Sequence, residues 1–218
     1  MTQLRSDLPP LPQRMRKLPI DERGYPVPSF VDYVNGKPDF RTMNGGHFRR
    51  AIKFDRCWLC AEPLGRVRCF LIGPMCAVNR TTSEPPSHAD CAIFAVKACP
   101  FLSHPMARRN THGLPDEVED VPGVHLDRNP GATAQWFVER TGYSLFDGGG
   151  TRPLLKIAEP VHVDWWREKR PATRAEIITS IESGLPALRA LCENEGDRAA
   201  LERQLANAMK YLPAPTGA

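Results

Sequence analysis

No stretch of the chain approaches the roughly eighteen consecutive apolar residues of a membrane-spanning helix, and the opening MTQLRSDLPPLPQRMRKLPIDERG lacks the continuous apolar core of an export signal. The expectation is a soluble, cytoplasmic protein, in the host cytoplasm if phage-encoded, with no membrane partner. Charge of one sign is also scarce. A net +4 is compatible with a polyanionic partner and does not demand one. Proline, in contrast, is plentiful at 22 of 218 residues. Each one removes a donor and fixes φ, so short elements joined by much loop are expected. The 7 cysteines are an odd number, and without an export signal they read as metal ligands or reduced thiols rather than disulfides.

Along the chain, residues 1–23 combine LPPLP with scattered charge and read as a flexible arm that folds only against a partner or a neighbouring surface. Residues 24–102 open with SFVDYVNGKPDFR, where Asn35-Gly36 tolerates the two positive φ values of a type I′ hairpin turn. Thr42 to Gly46 is expected as loop and Phe48 to Phe54 as a short helix or an irregular lead into the first cysteine pair. A strand at 66–72 is expected to pair with one at 75–79 after Gly73-Pro74. Ser87 and Asp90 form the pattern of a capping box for an apolar helix starting at His88 and ended by Pro100. Residues 103–122, with the acidic DEVED at 116–120, read as a solvated linker. In 123–170, TAQWFVER, GYSLFDGGG, LLKIA and VHVDWW are spaced as a small antiparallel meander. In 171–213, Thr173 and Glu176 cap a helix with Gly184 as its stop. A helix restarts at Leu185-Pro186 and runs through Leu188, Leu191 and Cys192; Glu195-Gly196-Asp197 offers an interruption, after which Leu201, Leu205, Met209 and Leu212 repeat at spacings of four and three.

The chemistry is concentrated between Asp55 and Phe101, which hold all the cysteines but Cys192. Cys57 and Cys60 form a Cys-x-x-Cys, and His88 and Cys91 form a His-x-x-Cys with room for a hairpin between the pairs. A zinc ion needs four donors about 2.0 to 2.3 Å from one point, and two local pairs are the simplest way for a chain to supply them. His88 and Cys91, three apart in the first turn of a helix, share one face. Knuckle, hairpin and helix in that order suggest an α+β protein: a treble-clef-like zinc module with β-hairpins, a small antiparallel β segment and C-terminal helices. The plain alternative is a pair of buried thiols and a capping histidine. Cys69 and Cys99 suit ordinary buried cysteines, and Cys76 is the substitute ligand if His88 is not one. Thiol-disulfide catalysis wants the pair at a helix start after a strand; here it follows Asp55-Arg56 and precedes a turn.

Arg49, Arg50, Lys53, Arg56, Arg66, Arg68 and Arg80 surround the site in sequence, with Asp55 and Glu62 the nearby acids. Such a cluster can track the phosphates of a nucleic acid, with Phe48, Trp58 and Phe70 for stacking, or face an acidic protein surface. A metal-dependent nuclease of the His-Asn-His type is the competing class, with His47, Asn79, His104 and His112 as its candidates. None of them falls into the spacing such enzymes show.

From DERGYPVPSFVDYVNGKPDFR through CWLCAEPLG, IGPMCAVNRTTSEPPSHADCA and ACPFL, and again at RPATRAEIITSIESGLP, the chain resembles a family of cysteine-rich bacterial and phage proteins. The resemblance covers most of the chain. It implies a zinc-bound protein and brings no activity or substrate with it. Where the family has Cys-x-x-Cys-Gly, this chain has Ala61 after Cys60, and a glycine there eases the turn.

Overall fold

The structure is a computed structural model that describes residues 3–43, 45–105, 107–108, 110, 112, 128–129, 131–150 and 152–215. Among them are six α-helices and nine strands in antiparallel sheets. The expected acidic cluster at 116–120 and most of the linker lie outside the described residues.

Asn35 and Gly36 take φ of 51° and 76°, the turn their side chains favour. It joins β1 (Val31–Val34) to β2 (Lys37–Met43). Helix α1 (Gly45–Lys53) follows, so strand and helix take up the described residues of the loop expected at Thr42 to Gly46. Its Phe48 and Ala51 face inward while Arg49, Arg50 and Lys53 point to solvent. Strand β3 (Val67–Ile72) forms as expected, but its expected partner at 75–79 is helix α2 (Pro74–Asn79). Pro74 sits at the first helical position, where its missing N–H costs nothing, and burial of Ala77 and Val78 fixes the helix against the core.

After β4 (Thr81–Thr82) come α3 (Ala89–Ala98) and α4 (Pro100–Ser103). The capping box expected from Ser87 does not form. Ser87 spends its backbone on Cys69, at 2.7 and 3.1 Å, and Asp90 accepts from the Cys91 N–H.

The expected meander is present as strands but not as one sheet. Strand β5 (Thr133–Glu139) lies between β3 and β8 (His162–Arg167), with β9 (Arg170–Pro171) at the edge, whereas β6 (Tyr143–Phe146) and β7 (Leu154–Ile157) pair together beside β4. Gly142 permits the change of sheet, because a Cβ there would stand 2.7 Å from that of Val138. Strand β5 is buried on both faces. Phe70 and Trp136, paired in register, face a core completed by α2, α5 (Arg174–Arg189) and α6 (Glu195–Ala208); Gln135 and Cys69 face α3, where Gln135 donates to the Ala89 carbonyl at 3.2 Å.

Thr173 and Glu176 do form their capping box. The expected stop at Gly184 is overridden, and α5 runs through it and through Pro186. Those two residues cost a helix roughly 1 and 3 kcal/mol. The buried stripe Ile177, Ile181, Leu185 and Leu188 returns about 1.5–3 kcal/mol for each side chain, and prevails.

Candidate metal centre

The knuckle is built by backbone bonds that fold residues 55–64 onto themselves. Cys57 N–H donates to the Glu62 carbonyl, Ala61 N–H to Cys57 and Leu64 N–H to Asp55, each at 2.9 Å. Both thiol side chains are thereby turned to one side. Ala61 holds φ at 60°, a left-handed geometry in which a Cβ costs about 1–2 kcal/mol. Glycine there also widens the unfolded ensemble, at about 0.4–1 kcal/mol. Ala61→Gly is therefore expected to raise stability by about 0.5–1 kcal/mol, read as a rise of roughly 1–4 °C in the melting temperature; a lower melting point would show the turn to be unstrained.

Two links carry the second pair to the first. Trp58 N–H donates to the Pro86 carbonyl at 3.0 Å, and the Cys69–Ser87 bridge sets the following residue, His88, beside the knuckle. His88 is the N-cap of α3 and Cys91 lies in its first turn. The Sγ atoms of Cys57, Cys60 and Cys91 and an imidazole nitrogen of His88 all lie within 4.8 Å of one another. His88 Nδ1 stands 3.4 Å from Cys60 Sγ and 3.9 Å from Cys91 Sγ. A tetrahedral ion with metal–donor bonds of about 2.0–2.3 Å places its donors roughly 3.3–3.8 Å apart. The two nitrogen–sulfur distances lie in or just beside that range.

The surroundings fit a cation as well. His88 Nε2–H donates to the Pro63 carbonyl at 2.9 Å, which fixes the tautomer that leaves Nδ1 free to ligate. Backbone N–H groups of Cys60 and His88 approach Cys57 Sγ at 3.5 and 3.4 Å and favour a thiolate. Burial works against ionising Cys57, yet hydrogen bonds from Cys60, Cys91 and His88 outweigh it and take its thiol far below the ordinary range. Hydrogen bonds to Cys57 and Cys60, against the opposing effect of burial, push His88 up to about 10. The same two sulfurs, and burial, raise Cys91. A divalent ion allows all three sulfurs to ionise together.

The other cysteines stand apart from this cluster. Burial raises the thiols of Cys69 and Cys99 and takes Cys76, on α2, up to about 11. Cys76 is thus not needed as a substitute ligand. The N-terminal arm finds its neighbouring surface here: Met15 is fully buried beside the cysteines, with Leu8, Leu11 and Leu18 against the same cluster. Their spacing of three and four residues is the signal for it. Arg14 and Lys17 pin that segment to Asp90 at 3.5 Å and Glu62 at 3.1 Å.

The basic residues divide. Arg49, Arg50, Lys53 and Arg66 are exposed and Arg56 half-buried, and the five form no ion pair among the described residues. Two of the seven are otherwise engaged. Arg68 is fully buried against Asp55 and the Gly65 carbonyl, and Arg80 pairs with Glu159 at 3.0 Å and lies over Tyr211. Phe48, Trp58 and Phe70 are buried, so the expected stacking surface is not theirs; near the site, the exposed rings are Tyr33 and Phe54.

The nuclease candidates gather no second site. Asn79 Oδ1 accepts from Thr81 N–H at 2.9 Å and His104 Nδ1 approaches the Pro100 carbonyl at 3.0 Å, while His47 lies on α1 and His112 is exposed. Among the described residues, the group of metal-ligating side chains that converges is Cys57, Cys60, His88 and Cys91. Among the described residues, no helix is long and apolar enough to cross a membrane. Comparison of the chain with protein-family models, with curated proteins and with solved structures gives no match.

Proposed function

We propose that the chain is a zinc-stapled, non-catalytic interaction protein of bacterial or phage type, and that its partner is a nucleic acid. A borderline-soft, four-coordinate ion suits three thiolates and an imidazole better than a hard cation does, which makes zinc the ion of choice. All four donors come from the protein, so the ion is structural and leaves no open position for water. A knuckle, a single antiparallel bridge from Ser87 back to β3 and a helix bearing the second pair support a treble-clef-type module whose hairpin is opened by α2 and β4.

The observation that carries the partner is the set Arg49, Arg50, Lys53, Arg56 and Arg66, close together in sequence and without an acid paired to any of them. Five phosphate contacts release about 0.7–0.9 counterion each. Affinity for a labelled oligonucleotide is therefore expected to fall by about 10²–10³ between 50 and 200 mM salt. Arg50→Ala should flatten the slope by close to one, and no cleavage should appear in magnesium or manganese. Salt-independent binding, or capture of polyglutamate in place of nucleic acid, overturns the assignment.

A further inference from the structure

An open groove of about 410 Å3 runs between β1, α1 and the knuckle, a size within the roughly 300–1,000 Å3 typical of small-ligand sites. Its chemistry is uneven. Val27, Pro28 and Val31 contribute apolar wall, Cys57 and Ala61 belong to the metal-bearing turn, and the polar side chains include His47, Arg50 and Arg56. No aspartate or glutamate lines it. At its margin stand two large aromatic rings that the fold leaves in water, Tyr33 at 51% and Phe54 at 56% exposure.

We infer that this groove takes single-stranded nucleic acid, with unpaired bases against Tyr33 and Phe54 and the backbone phosphates on Arg50, Arg56 and the neighbouring cations of α1; this rests on the nucleic-acid reading above. A duplex offers phosphates but keeps its base faces stacked, and leaves both rings without a role. An acidic peptide satisfies the guanidinium groups and has no flat face to place on them. A single strand supplies both, and stacking on aromatics between cations is the general way in which such strands are held.

Both rings are carried on hydrogen-bonded backbone. Tyr33 lies opposite Pro38 in the β1–β2 hairpin. Phe54 N–H donates to the Arg50 carbonyl at 3.0 Å at the end of α1, and Lys53 Nζ lies 5.4 Å from its ring centroid. Because neither ring belongs to the core, each can be removed without unfolding the chain.

The test measures fluorescence anisotropy of short labelled oligo-dT and oligo-U, and of a duplex of equal length, with the zinc-loaded full chain. Expected are tighter binding of a single strand than of duplex, and losses of about 5- to 150-fold for Tyr33→Ala and for Phe54→Ala. Phe54→Trp should retain affinity, and melting temperatures should not move. The dT and U arms decide between DNA and RNA. Equal binding of single strand and duplex, untouched by the aromatic variants but weakened by Arg50→Ala, overturns the single-strand inference and leaves the nucleic-acid reading standing. No binding to any oligonucleotide overturns both.

Discussion

Serine in place of Cys57 is expected to abolish stoichiometric zinc and to unfold the cysteine-rich half of the chain. Cys57 is the sulfur on which the two halves of the centre converge, since it receives backbone N–H groups from both Cys60 and His88. A structural zinc contributes about 10–16 kcal/mol in small metal-folded modules, and a whole domain is stable by only about 5–15 kcal/mol. Loss of the ion therefore removes a share comparable to everything the fold has in reserve. The cluster of Met15, Leu59, Phe94 and Ala98 packs directly on the ligands and is expected to loosen with them. Metal content by mass spectrometry, near-ultraviolet dichroism and limited proteolysis report the change. Cys69→Ser and Cys76→Ser, outside the cluster, should keep one zinc per chain. Acid should act like the mutation, because ligation needs three thiolates and a neutral His88 Nδ1. Hydrogen bonding within the metal-free cluster raises His88 and Cys91, so the ion must displace their protons, and affinity rises with pH and is lost as pH falls. A Cys57→Ser protein that keeps its metal and its melting point would end the account of the centre.

The parts of this structure that were legible in the sequence are those set by neighbours in the chain. The converging cluster of Cys57, Cys60, His88 and Cys91 announces itself because two pairs three residues apart need only a turn and a helix start to meet. Asn35-Gly36 dictates its turn through local sterics, and Thr173 with Glu176 dictates a cap through hydrogen bonds that close within one turn. What was not legible depends on distant partners. Strands β5 to β8 have the same alternation whether they form one sheet or two, and pairing with β3 and β4 decides the outcome. Gly73-Pro74 reads as a strand breaker or as a helix start. The core that receives Ala77 and Val78 chooses the helix. Leu8, Leu11, Met15 and Leu18 look like a mobile arm until the cysteine cluster offers them a surface. Arg68 looks like one more exposed cation because nothing local shows that β3 is covered on both faces.

That last residue sets the second large expectation. Arg68 is buried completely, and its guanidinium is held by the Asp55 carboxylate and the Gly65 carbonyl, with Nε left without an acceptor. Asp55 is only partly covered and also meets Arg140 at 3.3 Å. The two partners are therefore unequal. Asp55→Asn strands a charge that has nowhere to go, and breaking a buried pair in this way costs about 3–5 kcal/mol. Asparagine keeps the left-handed backbone at position 55, φ 54°, as tolerable as before, so the loss measures charge. A fall of roughly 6–20 °C in the melting temperature is expected. Arg68→Met should cost far less, because Asp55 keeps Arg140 and water, and combined with Asp55→Asn it should recover most of the loss. Thermal and urea unfolding of the two single variants and the double close the cycle. If Asp55→Asn costs less than about 1 kcal/mol, or if the double variant is no better than it, the pair is not what holds this corner.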